Sequence, residues 1–385
     1  MKHILRILMA LLAITFVGCN EPEYGTTPDT TIGSLGTPDD NEIWFTTTDD
    51  RVLLSLHENA FDVAIEEVVY IEGGVNIIRF AEAVTSVDAE AFRDCANIFN
   101  LSLPNSVTKI GDRAFFDCKN MECITLGSGL RNCGIEAFEG CYNLRSLHIP
   151  SIAMWFRIAF ASKKSNPLYF TENFIINGEK IRELNTPDGV ETIHDYAFIY
   201  NTYLESVNIS RSVKSIGKDA FEGCENIKKV NTESVKSWCG IDFKSELSNP
   251  LSIAMTLYEN GAVVSRIDLT NTSHIYSYTF INCTSLKSLS SDNTLEEIGV
   301  DAFRNCSALQ SVSLGNKLIA IGKQAFWNCE TLDKIVCQAT TPPMLGNSST
   351  FGRNAEGRKI YVPAASVDTY KSSWSTYADD IYAIE

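Results

Sequence analysis

The chain has 385 residues, 44% hydrophobic and 21% charged, the balance of a folded protein rather than a disordered one. Its 48 acids against 32 bases give a net charge of −16, which argues against nucleic-acid phosphates and anionic lipid surfaces as partners. That length would hold two or three ordinary domains, or one body built of stacked repeats.

Residues 1–18 read as a secretory signal. Met1-Lys2-His3-Ile4-Leu5-Arg6 is the basic start, and residues 7–17 form an apolar run too short to span a bilayer. The run closes on Phe16-Val17-Gly18-Cys19, which resembles the lipobox of bacterial lipoproteins. That resemblance implies cleavage before Cys19 and lipid attachment to it; an ordinary signal with an incidental Cys19 is the alternative. Cleavage removes Lys2 and Arg6 and no acid, taking the net charge from −16 to −18. No other apolar run approaches membrane length, so the lipid alone is expected to hold the chain at a membrane. Residues 19–41, rich in Pro, Thr, Gly and acids, read as a flexible tether. From 42 to 80, β-rich runs at 43–46, 52–56, 68–71 and 77–80 predict an N-terminal β-cap over the first repeat.

Residues 81–335 carry a repeat. Ala-Phe-x-x-Cys occurs at Ala91-Phe92/Cys95, Ala114-Phe115/Cys118, Ala137-Phe138/Cys141, Ala220-Phe221/Cys224, Ala302-Phe303/Cys306 and Ala325-Phe326/Cys329. Degenerate copies are Ala197-Phe198/Asn201 and Thr279-Phe280/Cys283. Phenylalanines 92, 115 and 138 are 23 residues apart, as are 198 and 221, and 280, 303 and 326, a period that signifies stacked turns. The template is L-x-x-V-x-L-x-x-x-L-x-x-I-G-x-x-A-F-x-x-C. Its V-x-L predicts one short strand, I-G a second extended piece, and Ala-Phe a turn that buries the ring. Gly111, Gly217, Gly299 and Gly322 mark a backbone needing positive φ or a close approach. Seven of the twelve cysteines hold the same repeat position, so we expect a ladder of core thiols, with disulfides between adjacent turns as the alternative.

Two inserts, at about 151–187 and 234–270, break the rhythm. They are copies of each other. Trp155-Phe156-Arg157-Ile158-Ala159-Phe160 matches Trp238-Cys239-Gly240-Ile241-Asp242-Phe243, and Asn166-Pro167-Leu168 matches Asn249-Pro250-Leu251. Asn177-Gly178 and Asn260-Gly261 then predict hairpins that rejoin the stack. Residues 336–385 read as a C-terminal cap. Thr341-Pro342-Pro343 stops the pattern, residues 359–363 predict a strand, and Ser366 would cap a helix carrying Tyr370, Trp374, Tyr377 and Ile381.

On these residues the chain resembles the BspA-like (treponemal-type) leucine-rich-repeat surface lipoproteins of Bacteroides and related bacteria, over residues 42–385. The resemblance rests on Ile-Gly-x-x-Ala-Phe-x-x-Cys, the Trp-anchored inserts and the closing Tyr-Val-Pro with its aromatic helix. It implies a β-rich α/β repeat solenoid, curved and right-handed, on an outer-membrane lipoprotein at the cell surface. Some members of that family are adhesins. Departures are Asn201 for Cys, Thr279 for Ala, and Asp88, His194 and Tyr276 for Gly.

No motif here supports catalysis or a cofactor. Histidines 57, 148, 194 and 274 are scattered, without H-E-x-x-H or C-x-x-C spacing. Asp49-Asp50 and Asp379-Asp380 read as solvated pairs rather than a cation site. The middle residue of each V-x-L points away from the core: Ser102, Thr125, His148, Asn208, Asn231, Ser290, Ser313 and Val336. Stacked at about 4.8 Å per strand, they predict a polar ribbon along an expected concave sheet, the usual binding face of a solenoid. Trp155 and Trp238 are a second candidate, a sugar-stacking platform, against a purely structural anchoring role. The expectation is a monomeric, non-catalytic module for a protein or glycan; a periplasm-facing scaffold without external ligand is the alternative.

Overall fold

The computed structural model describes residues 35–48, 56–57, 59–70, 75–171 and 173–385. The signal segment, Cys19, most of the tether, Asp49, Asp50 and residues 52–55 of an expected strand lie outside them. The chain divides into two compact units, one closing at Lys180 and the other running from Ile181 to Glu385.

In the first unit, strands Ile98–Ser102, Cys123–Thr125, Ser146–Ile149 and Asn173–Ile176 pair in parallel. Glu42–Thr47 lies antiparallel against Ile98–Ser102, followed outward by Asn76–Phe80 and Ile65–Val69. Glu179–Lys180 closes the opposite edge as a hairpin. A second parallel ladder joins Ser86–Val87, Lys109–Ile110, Asn132–Cys133 and Ala159–Phe160.

The second unit repeats this plan twice. Glu183–Asn185, Ser206–Ile209, Lys229–Thr232 and Leu257–Glu259 form one parallel run, ended by the antiparallel Ala262–Val263. A separate sheet then begins: Arg266–Leu269, Ser288–Ser291, Ser311–Leu314, Lys334–Cys337, Lys359–Val362 and Ile381–Ala383. Hairpins at the Asn-Gly pairs therefore terminate a sheet rather than rejoin it. Asn177 and Asn260, with φ of 50° and 48°, and the glycines that follow, at 84° and 83°, take the left-handed conformations a tight hairpin demands.

The Ala-Phe turns make a third ladder. Phe280, Phe303 and Phe326 donate their N–H to the carbonyls of Ala302, Ala325 and Thr350 at 2.7, 2.8 and 2.9 Å. The residues flanking each pair are left-handed, as at Asp301 (φ 53°) and Asn305 (φ 63°), and their N–H groups reach Lys323 and Trp327 of the next turn. Non-glycine side chains resist that conformation. Here the strain is offset because every second N–H is turned onto the neighbouring coil. The positions are filled by Glu, Arg, Asp, Tyr, Asn and Gln alike, so no sequence signal marks them.

Inside, the phenylalanine rings stack. Centroids are 5.2 and 5.1 Å apart along Phe92–Phe115–Phe138, 5.5 Å for Phe198–Phe221, and 5.2 and 5.1 Å along Phe280–Phe303–Phe326. Phe351 extends the last column at 5.5 Å, a turn the spacing of 23 does not pick out. Trp374 and Tyr377 close it at the far side of Phe351. Phe61 meets Phe92 edge-on at the start of the first column.

The repeat glycine serves close approach. A Cβ on Gly322 would come within 2.5 Å of Gly299 C and Val300 N in the preceding turn, and Gly322 has no positive φ. Asp88, His194 and Tyr276 replace glycine because each follows the first strand of its ladder, where no parallel strand precedes.

At the C-terminal end the structure corrects the expected helix. The α-helix is Val367–Ser373; Ser375–Asp380 is 3-10 and Ile381 begins a strand. Trp374, at φ −103° and ψ 46°, breaks the helix. Ser366 makes no cap bond; its hydroxyl donates to the Thr340 carbonyl at 2.8 Å.

Candidate functional site

The outward positions fall on three sheets, each with its own row. In the first unit Trp44, Ser102, Thr125, His148 and Ile175 lie side by side. Ser102 is 0% exposed and donates its hydroxyl to the Gly36 carbonyl, and Thr125 is also buried. Ser106 holds the same N-terminal segment, its N–H on Asp40 Oδ1 at 3.1 Å. Ser102 and Thr125 are therefore covered positions, a correction to the candidate face; His148 is half-buried.

The second unit keeps its rows open to solvent. Asn185, Asn208, Asn231, Tyr258 and Val263 form one; Asp268, Ser290, Ser313, Val336, Tyr361 and Tyr382 form the other. Asn208 Nδ2 donates to Asn185 Oδ1 and Glu183 Oε1, both at 2.7 Å. Asn231 Oδ1 accepts from the Gly261 N–H at 2.9 Å, and Ser290 Oγ donates to Asp268 Oδ1 at 3.1 Å. These bonds fix side chains along the sheet and leave further polar valences outward. Sequence reasoning passed over Tyr258, Tyr361 and Tyr382. Their signal was an apolar-Tyr pair in each strand: Leu257-Tyr258, Ile360-Tyr361 and Ile381-Tyr382.

Trp155 and Trp238 cannot be a stacking platform: each is 0% exposed. Trp155 packs between Phe160 and Phe174 at 5.2 and 4.7 Å. Trp238 sits in the helix Val235–Cys239, N-capped by Ser234, and packs on Phe243 at 5.3 Å. Its indole Nε1 donates to the Thr279 carbonyl at 2.8 Å, and Asn249 Nδ2 donates to Tyr278 and Thr279 carbonyls at 2.7 and 3.1 Å. In a regular turn such a carbonyl would receive the N–H of the preceding phenylalanine. The insert's Trp and Asn thus satisfy the first turn of the run that follows.

The thiols face inward. All eleven described cysteines are free and buried, and no disulfide occurs among the described residues. Cys118, Cys141, Cys306 and Cys329 point at the carbonyls of Phe92, Phe115, Phe280 and Phe303, 3.0–3.2 Å away. Burial pushes Cys224 and Cys239 up to about 12, and Cys133 further, and it raises Cys118 and Cys306 with their neighbouring thiols adding to the effect. Such groups carry no thiolate at neutral pH and lack the nucleophile's electropositive setting. Burial also lowers His194, with the Asp195 carboxylate opposing it. Asp380 is ion-paired with Arg358. No group of His, Cys, Asp or Glu with metal-binding geometry occurs among the described residues.

A family model described as the BspA type leucine rich repeat region matches in six copies over residues 64–176, 164–247 and 252–372. No curated protein matches. Among solved structures, a leucine rich cell surface protein from Faecalibacterium prausnitzii is similar at 18% identity, covering 83% of this chain and 87% of that one, with a TM-score of 0.42. A leucine-rich repeat protein from Bacteroides ovatus is 19% identical over 87% and 94%, TM-score 0.35. The pneumococcal vaccine antigen PcpA is 17% identical over 83% and 88%, TM-score 0.38.

Proposed function

Because the chain belongs to the BspA-type leucine-rich repeat family, we propose that it is a non-catalytic binding module that engages a protein or glycan through the outward faces of its parallel sheets. It would be anchored through Cys19 as an outer-membrane lipoprotein and displayed at the cell surface. One observation carries the reading: Asn208 and Asn231, and Ser290 and Ser313, stand side by side in register on sheet faces that solvent reaches, where packing of the core makes no demand on them. Faces of stacked repeats are the extended surfaces on which such proteins bind.

The test is binding of the chain to arrays of matrix proteins and glycans, comparing wild type with Asn208→Glu/Ser313→Glu. The variant should lose roughly tenfold in affinity, with an unchanged melting temperature. Unchanged binding would remove these faces from the interaction. Protease treatment of intact cells should clip the chain; protection would place it on the periplasmic side.

A further inference from the structure

In the unit Ile181–Glu385, three lysines lie across tyrosines of a neighbouring strand. Lys229 Nζ is 5.4 Å from the Tyr258 ring centroid, Lys334 Nζ 5.8 Å from Tyr361, and Lys359 Nζ 5.7 Å from Tyr382. All three pairs have one construction. The lysine sits two residues before the outward position of one strand, and the tyrosine occupies that position on the next. The fold does not require it, because the same two positions on earlier strands hold Ser206 and Asn208, Ser288 and Ser290, or Ser311 and Ser313.

The last two pairs interlock. Tyr361 and Tyr382 have centroids 6.2 Å apart at 43°, Lys334 and Lys359 are exposed, and Tyr382 is 45% exposed. Beside Tyr361 the row runs through Val336 to the small side chains of Ser313 and Ser290. Among the acids close in sequence, Asp333 and Glu385 are exposed and Asp380 is already paired with Arg358; Asp268 lies at the sheet's other edge on Ser290. On a chain with 16 more acids than bases, an aromatic patch carrying two ammonium groups runs against the composition.

The chemistry selects its ligand. A lysine lies over one face of each tyrosine, so the remainder of the ring offers flat apolar contact to the C–H face of a pyranose while the ammonium groups pair with carboxylates. The Tyr361 and Tyr382 rings stand 6.2 Å apart on strands that step by about 4.8 Å, a separation on the scale of one pyranose in an extended polysaccharide. A polymer lying across the strands would therefore meet one ring and one lysine per sugar. An acidic peptide supplies carboxylates but no flat faces at that repeat. We propose that Tyr361, Tyr382, Lys334 and Lys359 form a binding site for an acidic polysaccharide, one whose pyranose rings carry carboxylates. This rests on the reading above, that the outward sheet faces bind, and names the partner class.

The experiment titrates the full chain calorimetrically with polygalacturonate, with its carboxyl-reduced form and with poly-L-glutamate. Wild type is compared with Tyr361→Ser/Tyr382→Ser and Lys334→Gln/Lys359→Gln; the first pair installs the residue that earlier strands already hold, and melting temperature checks folding in both. Polygalacturonate should bind, each double variant should lose roughly tenfold, and the reduced polymer and poly-L-glutamate should bind more weakly by a similar factor. The lysine variant should also flatten the salt dependence. No binding of polygalacturonate, equal binding of poly-L-glutamate, or indifference to the variants overturns the site. If Asn208→Glu/Ser313→Glu weakens array binding while polygalacturonate is ignored, only the polysaccharide inference falls; unchanged array binding is the separate failure of the broader reading.

Discussion

Phe303→Ala is expected to lower the unfolding free energy by about 3–5 kcal/mol. The ring is 0% exposed and lies between Phe280 and Phe326 at 5.2 and 5.1 Å, nearly parallel to both. Its backbone N–H still reaches the Ala325 carbonyl in the variant, so the loss is ring volume and two stacking contacts rather than a ladder bond. Each aromatic contact contributes about 0.5–1.5 kcal/mol beyond burial. Phe303→Leu, which refills part of the cavity, should therefore fall between wild type and Phe303→Ala. Denaturant midpoints at constant slope measure both. An unchanged midpoint for Phe303→Ala would place the ring outside the interior.

Trp238→Ala should cost a similar about 3–5 kcal/mol, for a different reason. Deleting the indole empties a fully buried site and strips the Thr279 carbonyl of one of its two side-chain donors. Trp238→Phe keeps most of the volume and removes only the Nε1 donor, so about 1 kcal/mol is expected of it. A Trp238→Phe loss equal to that of Trp238→Ala would mean the hydrogen bond, not packing, anchors the insert. No loss in either would detach the insert from the run that follows it.

The interior was legible in the sequence because its constraints are strict. Each turn must present a ring at one place, and most add a thiol three residues on, so Phe303 and Cys306 recur with their period intact. The repeat glycine was legible for the same reason, although only the structure shows that close approach of Gly322 to Gly299, and not φ, imposes it. Left-handed residues such as Asp301 were hidden, since the ladder uses their N–H groups and tolerates many side chains there. The candidate face was the least legible. Ser102 obeys the alternation that points it outward, but it is covered by a segment 66 residues earlier, a contact no local pattern encodes. The expected continuity of the ribbon failed likewise. Hairpins that looked like returns to the stack end one sheet and open another, so Asn231 and Ser290 belong to different rows. Phe351 escaped because a longer loop with Pro342 and Pro343 precedes it and shifts its spacing.

Reactivity of the thiols toward a water-soluble alkylating reagent is the most direct measurement of this arrangement. In folded protein at neutral pH, mass spectrometry should find the eleven cysteines from Cys95 to Cys337 unlabelled, and a denaturant series should expose those of each unit together. Labelling of Cys118 or Cys306 in the native protein, or their recovery as disulfides, would contradict a closed interior of stacked turns in the unit that holds them.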